Sequence, residues 1–287
     1  MDRRKPILIT GASGMLGSAF EGPRFVRTSQ ADFDIRDIAQ VRSFLKAELF
    51  SAVLHFAAMT NLEQCEVEPQ LAHETNAGGS KNLAEACAAT QIPIIYVSTS
   101  GVFGGLKRDI FHEDDVPMPQ TVYAETKWLG EKNICRHHPE SFIIRLPWLF
   151  GGFEKDKKFV GMVFRQIQSG QKHFQIVEDT LGSLLFNKDM AAENSPIWTL
   201  LRSKRYGLYH ISQAGNASRY EIAKVIAKFL GQESQIQISP VASSFFKPAT
   251  PVLRPTCEVL GSRHLTPLRP WQEALNTYVT QWVARGH

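Results

Sequence analysis

Tyr123 and Lys127 stand four residues apart in Tyr123-Ala124-Glu125-Thr126-Lys127. Residues i and i+4 share one face of a helix, so a phenol and an ammonium at this spacing reach the same small site. Tyrosine has an ordinary pKa of about 10 and gives up its proton near neutrality only where a neighbouring group favours the phenolate. Lys127 is spaced to do that, which makes the pair a proton donor with its activating charge. Taken alone, the same spacing also fits the surface of an amphipathic helix.

A second cluster lies at the start of the chain. Gly11-Ala12-Ser13-Gly14-Met15-Leu16-Gly17 follows the apolar run 6–10. A glycine-rich turn between a strand and a helix lets backbone N–H groups approach a pyrophosphate, and the helix N-terminus adds partial positive charge. Gly11, Ser13, Gly14, Met15, Leu16 and Gly17 are therefore expected along a dinucleotide. The usual acidic residue that holds a ribose 2′-hydroxyl is missing after the second strand, where Arg27-Thr28-Ser29 stands. A cation and two hydroxyls suit a 2′-phosphate, which favours NADPH over NADH; the alternative is that Arg27 is an exposed strand-end charge. Thr99 closes the run 94–98, and ligands of open α/β sheets bind outside the carboxyl ends of strands. From there Thr99 can hydrogen-bond the carbonyl that Tyr123 protonates.

The elements that must position these residues alternate regularly. Strands are expected at 6–10, 24–28, 51–58, 92–98 and 142–146, with a short helix after the glycines and helices at 38–48, 69–90 and 123–137. Asp34-Ile35-Arg36-Asp37 reads as the loop and cap before the second helix. This is an α/β, doubly wound, Rossmann-type parallel sheet over residues 1–147. Beyond Pro147 the rhythm changes to short strands at 173–178, 207–212 and 236–239 and helices at 220–230 and 270–283. Residues 148–287 are expected to form mainly a smaller mixed α/β substrate-binding region, with the chain returning to the first domain around 173–192 and 236–253.

Composition agrees with an enzyme acting on small molecules. In 287 residues, 43% are hydrophobic and 21% charged, enough for a sizeable buried core. The net charge of +4 is mild and no long Lys/Arg run occurs, which argues against a nucleic-acid partner. The basic start 2–5 precedes too short an apolar run for a signal peptide, and no stretch is long enough to span a membrane. Cys65, Cys87, Cys135 and Cys257 lack metal or disulfide spacing and read as reduced thiols in the cytoplasm. No metal site is expected: His55 reads as a core histidine, and His137-His138 as the positive end of a helix. Lys155, Lys157 and Lys158 read as a solvated loop or as a guide for an anionic ligand.

With these residues in view, the chain resembles the extended short-chain dehydrogenase/reductase superfamily, and within it the dTDP-4-dehydrorhamnose reductases. The resemblance covers nearly the whole length. It is carried by the glycine loop, by 56–66, by Asn76-Ala77-Gly78 with Asn82-Leu83-Ala84, by Val97-Ser98-Thr99 and by the Tyr123 motif with Gly130-Glu131-Lys132. The later signatures are Arg145-Leu146-Pro147-Trp148, Gly207-Leu208-Tyr209-His210, Arg254-Pro255 and Leu268-Arg269-Pro270-Trp271. It implies NADPH-dependent reduction of the 4-keto group of a nucleotide-linked 6-deoxysugar, with Thr99, Tyr123 and Lys127 as the catalytic group and Lys127 at the nicotinamide ribose. It also implies that Ala57, Ala58 and Thr60 line the cofactor and that Asp34 and Ile35 meet the adenine end. Trp148 packs on the sugar or nicotinamide, or is a core aromatic; Arg254 meets an anion, or forms a surface ion pair.

The chain departs from the family pattern where Ser100-Gly101 replaces an Asp-Tyr pair that touches the sugar, at Lys158-Phe159, and at 179–185. The hydride machinery is intact while the sugar pocket has changed. Two alternatives stay open: a nucleotide-sugar epimerase or dehydratase that retains NAD(P), and a non-enzymatic regulatory subunit, as in the methionine adenosyltransferase β-subunit branch. A homodimer, a bridging magnesium ion and NADH as donor are likewise left open.

Overall fold

The computed structural model describes residues 5–105, 109–246 and 252–286. Its centre is a six-stranded sheet in the order Gly207–His210, Ser141–Leu146, Ile94–Thr99, Ala52–His55, Ile7–Thr10, Phe25–Thr28. Every neighbouring pair in it is parallel. Parallel strands are covered on both faces, which is why they read as unbroken apolar runs.

Alternate residues feed the two faces. Leu8, Val53, Ile94, Tyr96 and Ile143 pack with Val41 and Leu45 of the helix Ile38–Ala47 and with Leu83 and Cys87 of Gly79–Thr90. Ile7, Ile9, Leu54, Ile95 and Ile144 pack on the other side with Leu185, Met190, Ile197, Trp198 and Leu201. The second face is thus covered partly by the helix Pro196–Ser203, which sequence reading did not anticipate. Strand order reverses between Ile7–Thr10 and Ala52–His55, and a crevice at such a switch point is where this class of sheet receives its ligand.

The rest of the chain builds a second core from Phe150, Phe164, Phe186, Ile222, Tyr278 and Trp282, among others. It unites the helices Phe159–Gln168, Arg219–Phe229 and Trp271–Val283; the first of these was not expected. Ser218 and Glu221 cap Arg219–Phe229 reciprocally. Of the stretches expected to return to the first domain, 173–192 contributes Leu185 and Met190 to the packing on the central sheet. His173–Val177 and Gln237–Val241 pair with each other, and Gly207–His210 is the late strand that joins the central sheet. Of the 236–253 stretch, 247–251 lie outside the described residues, as does the chain start 1–4.

Two local expectations also change. The element after the glycine loop is a single 3-10 turn, Gly17–Ala19, so little helix dipole is available there. The expected helix 69–90 is divided into Pro69–Ala72, a π turn at His73–Gly78 and Gly79–Thr90. The π turn carries buried Asn76, whose Oδ1 accepts from Met59 N at 2.8 Å and whose Nδ2 donates to Met59 O and to Thr126 Oγ1. One side chain thereby fixes the 57–60 loop to the helix that bears Tyr123.

Candidate active site

A cleft of about 1840 Å³ runs over the carboxyl edge of the sheet and between the two cores. Drug-sized ligands occupy roughly 300–1,000 Å³, so this volume accommodates a dinucleotide with a second ligand beside it. Gly11, Ser13, Gly14, Met15, Leu16, Gly17, Asp34, Ile35, Ala57, Ala58, Thr60, Thr99, Tyr123, Trp148 and Arg254 all lie on its wall. Lys155, Lys157 and Lys158 line it too, and the Lys158 ammonium donates to Thr60 O at 3.3 Å.

The three loop glycines do different work. Gly11 has φ +69°, and a Cβ there would fall 2.6 Å from Ala57 N; at Gly17 it would fall 2.6 Å from Ala12 Cα. Those two let the turn pack against its own neighbours. A Cβ on Gly14 would meet only Gly11 O, at 3.3 Å, so its bare backbone is left facing the cleft. That is the cradle a pyrophosphate requires, and the residues present fit a dinucleotide. Beside the second strand, Asp34 is held by Arg36, which keeps its carboxyl down at about 2, while Asn82 Nδ2 donates to the Ile35 and Arg36 carbonyls.

The exposed Arg27 guanidinium donates to Phe20 O at 2.7 Å and Ala12 O at 3.3 Å and ties the glycine turn together from outside, while Thr28, Ser29 and Gln30 line the cleft there.

The reacting group is assembled from two elements. Thr99 ends Ile94–Thr99, and its Oγ accepts from Gly101 N at 3.1 Å. Thr121 caps the helix Val122–His137, accepting from Ala124 N at 3.1 Å, and so sets Tyr123 in the first turn. Thr99 and Tyr123 line the same cleft wall, close enough for the Thr99 hydroxyl to act on the phenol. Burial pushes the Tyr123 phenol up to about 12; the Thr99 hydroxyl opposes this, while Cys65 and Glu258 add to it.

Lys127 sits one turn on, buried, with its Nζ 4.1 Å from the centre of the Tyr96 ring. Burial pushes its ammonium down to about 7, with Glu131 acting in the other direction. Its seat over the Tyr96 ring holds the ammonium between the helix and the sheet. The i,i+4 spacing is real, but the helix rests on Tyr96 and draws the lysine inward. His55 behaves as a satisfied core histidine, 2.8 Å from Thr10 Oγ1 and 3.1 Å from Ser80 Oγ, and is pushed down to about 3 by burial and by Lys127.

Trp148 lies on the cleft wall, its indole Nε1 donating to Glu258 Oε2 at 2.6 Å. Arg254 pairs with Glu63. Arg219, at the start of its helix, lies 5.2 Å from the Trp148 ring and has a buried Nε with no hydrogen-bond partner among the described residues. Glu258 and Arg219 escaped sequence reading. The signal for Glu258 was the missing acid after Thr99, but nothing local connects residue 258 with residue 100; Arg219 carried no signal beyond a helix start. Among the described residues, no group of three or more His, Cys, Asp or Glu is placed to hold a metal.

A doubly wound parallel sheet, a glycine cradle at its switch point and a Thr-Tyr pair facing the same cleft define an NAD(P)H-dependent oxidoreductase of the extended short-chain dehydrogenase/reductase type. The chain belongs to the family described as the RmlD substrate binding domain, whose model matches residues 4–283. It is 33% identical to a dTDP-4-dehydrorhamnose reductase of Mycolicibacterium smegmatis, over 96% of this chain and 86% of the relative. A dTDP-4-keto-6-deoxy-D-glucose reductase of Streptomyces niveus is 30% identical over 93% of this chain and 94% of its own. The structure of dTDP-4-dehydrorhamnose reductase from Bacillus anthracis, solved in complex with NADP, superimposes with a TM-score of 0.88 at 27% identity, covering 96% and 99% of the two chains.

Proposed function

We propose that this protein reduces the 4-keto group of a nucleotide-linked 6-deoxysugar with NADPH. The observation that carries the reading is that Thr99 and Tyr123 share the wall of one cleft with the glycine cradle. NADPH bound along that cradle supplies the hydride. Thr99 orients the carbonyl by hydrogen bonding, its own oxygen being aligned by Gly101 N. Tyr123 gives its proton to the oxygen. With the phenol at about 12 it stays protonated across the neutral range, and the alkoxide left by hydride addition is basic enough to take the proton. Trp148 forms an apolar wall for the sugar, and Lys158 and Arg254 offer positive charge to the diphosphate. The four cysteines are free thiols, in keeping with work in the reducing cytoplasm.

The test is turnover with dTDP-4-keto-6-deoxysugars while NADPH absorbance is followed. One NADPH should be consumed per sugar reduced. Product formation without net consumption would instead assign an epimerase or dehydratase that returns its hydride, and no turnover with any such sugar would overturn the reading.

A further inference from the structure

Glu258 is a carboxylate on the cleft wall that the reaction outlined above does not use. It ends the short strand Cys257–Glu258, which pairs with Leu181–Gly182. Oε1 accepts from Ser100 Oγ at 2.9 Å, and Oε2 accepts from Trp148 Nε1 at 2.6 Å. Both donors are neutral, and a carboxylate has about four acceptor positions, two of which are still to be used. Ser100 is the neighbour of Thr99, so the carboxylate sits one residue along the chain from the group that acts on Tyr123. Its charge is felt there and at Arg219.

The other carboxylates on this wall are engaged elsewhere. Asp34 is held by Arg36 beside the second strand, and Glu63 pairs with Arg254. The residue after Thr99 completes the argument. An acid at position 100 would face Glu258 with like charge, which is unfavourable in a partly dry cleft. Ser100 turns that repulsion into a hydrogen bond, and the negative charge beside the reacting group is delivered from residue 258.

Building on the keto-sugar reduction above, we propose that Glu258 is the specificity-determining residue of the sugar pocket, accepting a hydrogen bond from a hydroxyl on the ring carbon next to the carbonyl that Tyr123 protonates. The enzyme then prefers 4-keto sugars that keep a C3 hydroxyl over their 3-deoxy counterparts. A site built to bind a hydroxyl rejects an analogue lacking it because a buried polar group is left without its partner.

The experiment compares kcat/KM for a dTDP-4-keto-6-deoxysugar with and without the C3 hydroxyl, in wild type and Glu258→Gln. Wild type should prefer the hydroxylated sugar by about 10- to 100-fold, and Glu258→Gln should lose most of that preference through KM, with the KM for NADPH unchanged. If the variant slows both sugars equally, Glu258 only holds Trp148 and the inference is overturned, as it is if the preference survives. Glu258→Asp, which withdraws the charge by one methylene, gives the same reading should the amide variant not fold. A wild type inactive on both sugars would sink the proposed reaction itself, whereas an active wild type with an indifferent variant sinks only the role of Glu258.

Discussion

Trp148 lies against Gly182 so closely that a Cβ on residue 182 would fall 2.6 Å from the indole. Strand pairing holds Gly182 beside Glu258, so the backbone of one neighbour and the carboxylate of the other fix the ring. Gly182→Ala should displace Trp148 from the cleft wall while leaving the glycine cradle untouched. We expect KM for the sugar nucleotide to rise and kcat to fall, together lowering kcat/KM by about 10- to 100-fold, with NADPH affinity unchanged. Steady-state kinetics with each substrate varied in turn, alongside tryptophan fluorescence, reads this directly; an unaltered kcat/KM would show that the position of the indole does not matter.

Tyr123→Phe removes the donated proton and leaves the ring. The expected loss in kcat is about 10²–10⁴-fold, the usual contribution of a positioned acid. Stability should move by only about 1 kcal/mol, the usual worth of one hydrogen bond. A denaturation curve and a rate measurement on one preparation separate the two. A rate near wild type would assign the proton to another donor.

Arg27→Ala tests whether this cation serves cofactor choice or the fold. Because its guanidinium donates to the carbonyls of Phe20 and Ala12, the preference between NADPH and NADH should be unchanged. Stability should fall by about 1–2 kcal/mol as two carbonyl contacts are lost. Paired titrations with the two cofactors decide it: a selective loss of NADPH binding would return Arg27 to the 2′-phosphate.

The parts of this molecule that were legible in the sequence are those governed by local rules. Ile94–Thr99 reads as a strand because both faces are covered and its residues are mostly β-branched or aromatic. Asp37 announces the helix it caps, accepting from Ala39 N and Gln40 N. The glycine loop is legible because only glycine allows the approach to Ala57. What was hidden depends on partners far along the chain. Arg27 looks free until the fold brings Phe20 O to it, and nothing near Lys127 in the chain foretells that its ammonium rests over the Tyr96 ring. The carboxylate of Glu258 meets Ser100 across 158 residues, a distance over which no periodicity carries information.

Arg145 and Glu131 form a buried bidentate pair at 2.9 and 2.7 Å, joining the strand Ser141–Leu146 to the helix that carries Tyr123 and Lys127. Removing one member of such a pair strands a charge in a dry interior. Glu131→Gln should therefore destabilise the protein by about 3–5 kcal/mol, measured by urea unfolding. A loss below about 1 kcal/mol would mean that the guanidinium finds other compensation, for instance over the Phe103 ring, 4.9 Å away.

Lys127 gives stability a dependence on pH whose sign follows from burial. Its ordinary value of 10.5 is pushed down to about 7 in the folded protein. Between those limits the unfolded chain holds a proton that the folded chain has released, so this group makes stability rise with pH across the window and fall as pH drops toward 7. Tyr123 acts in the opposite sense and in a higher window, because its folded value of about 12 lies above its ordinary 10.0. Lys158, also pushed down by burial, acts in the same sense as Lys127, and the buried thiols of Cys65 and Cys87, pushed up from 9.0, oppose it above about pH 9, so the lysine is isolated by comparison with a variant. Lys127→Met removes the titrating group, keeps most of the apolar stem, and should flatten the rise of the urea midpoint over the Lys127 window. Parallel curves for the two proteins would show that the ammonium is not depressed and that Lys127 remains charged on its seat over Tyr96.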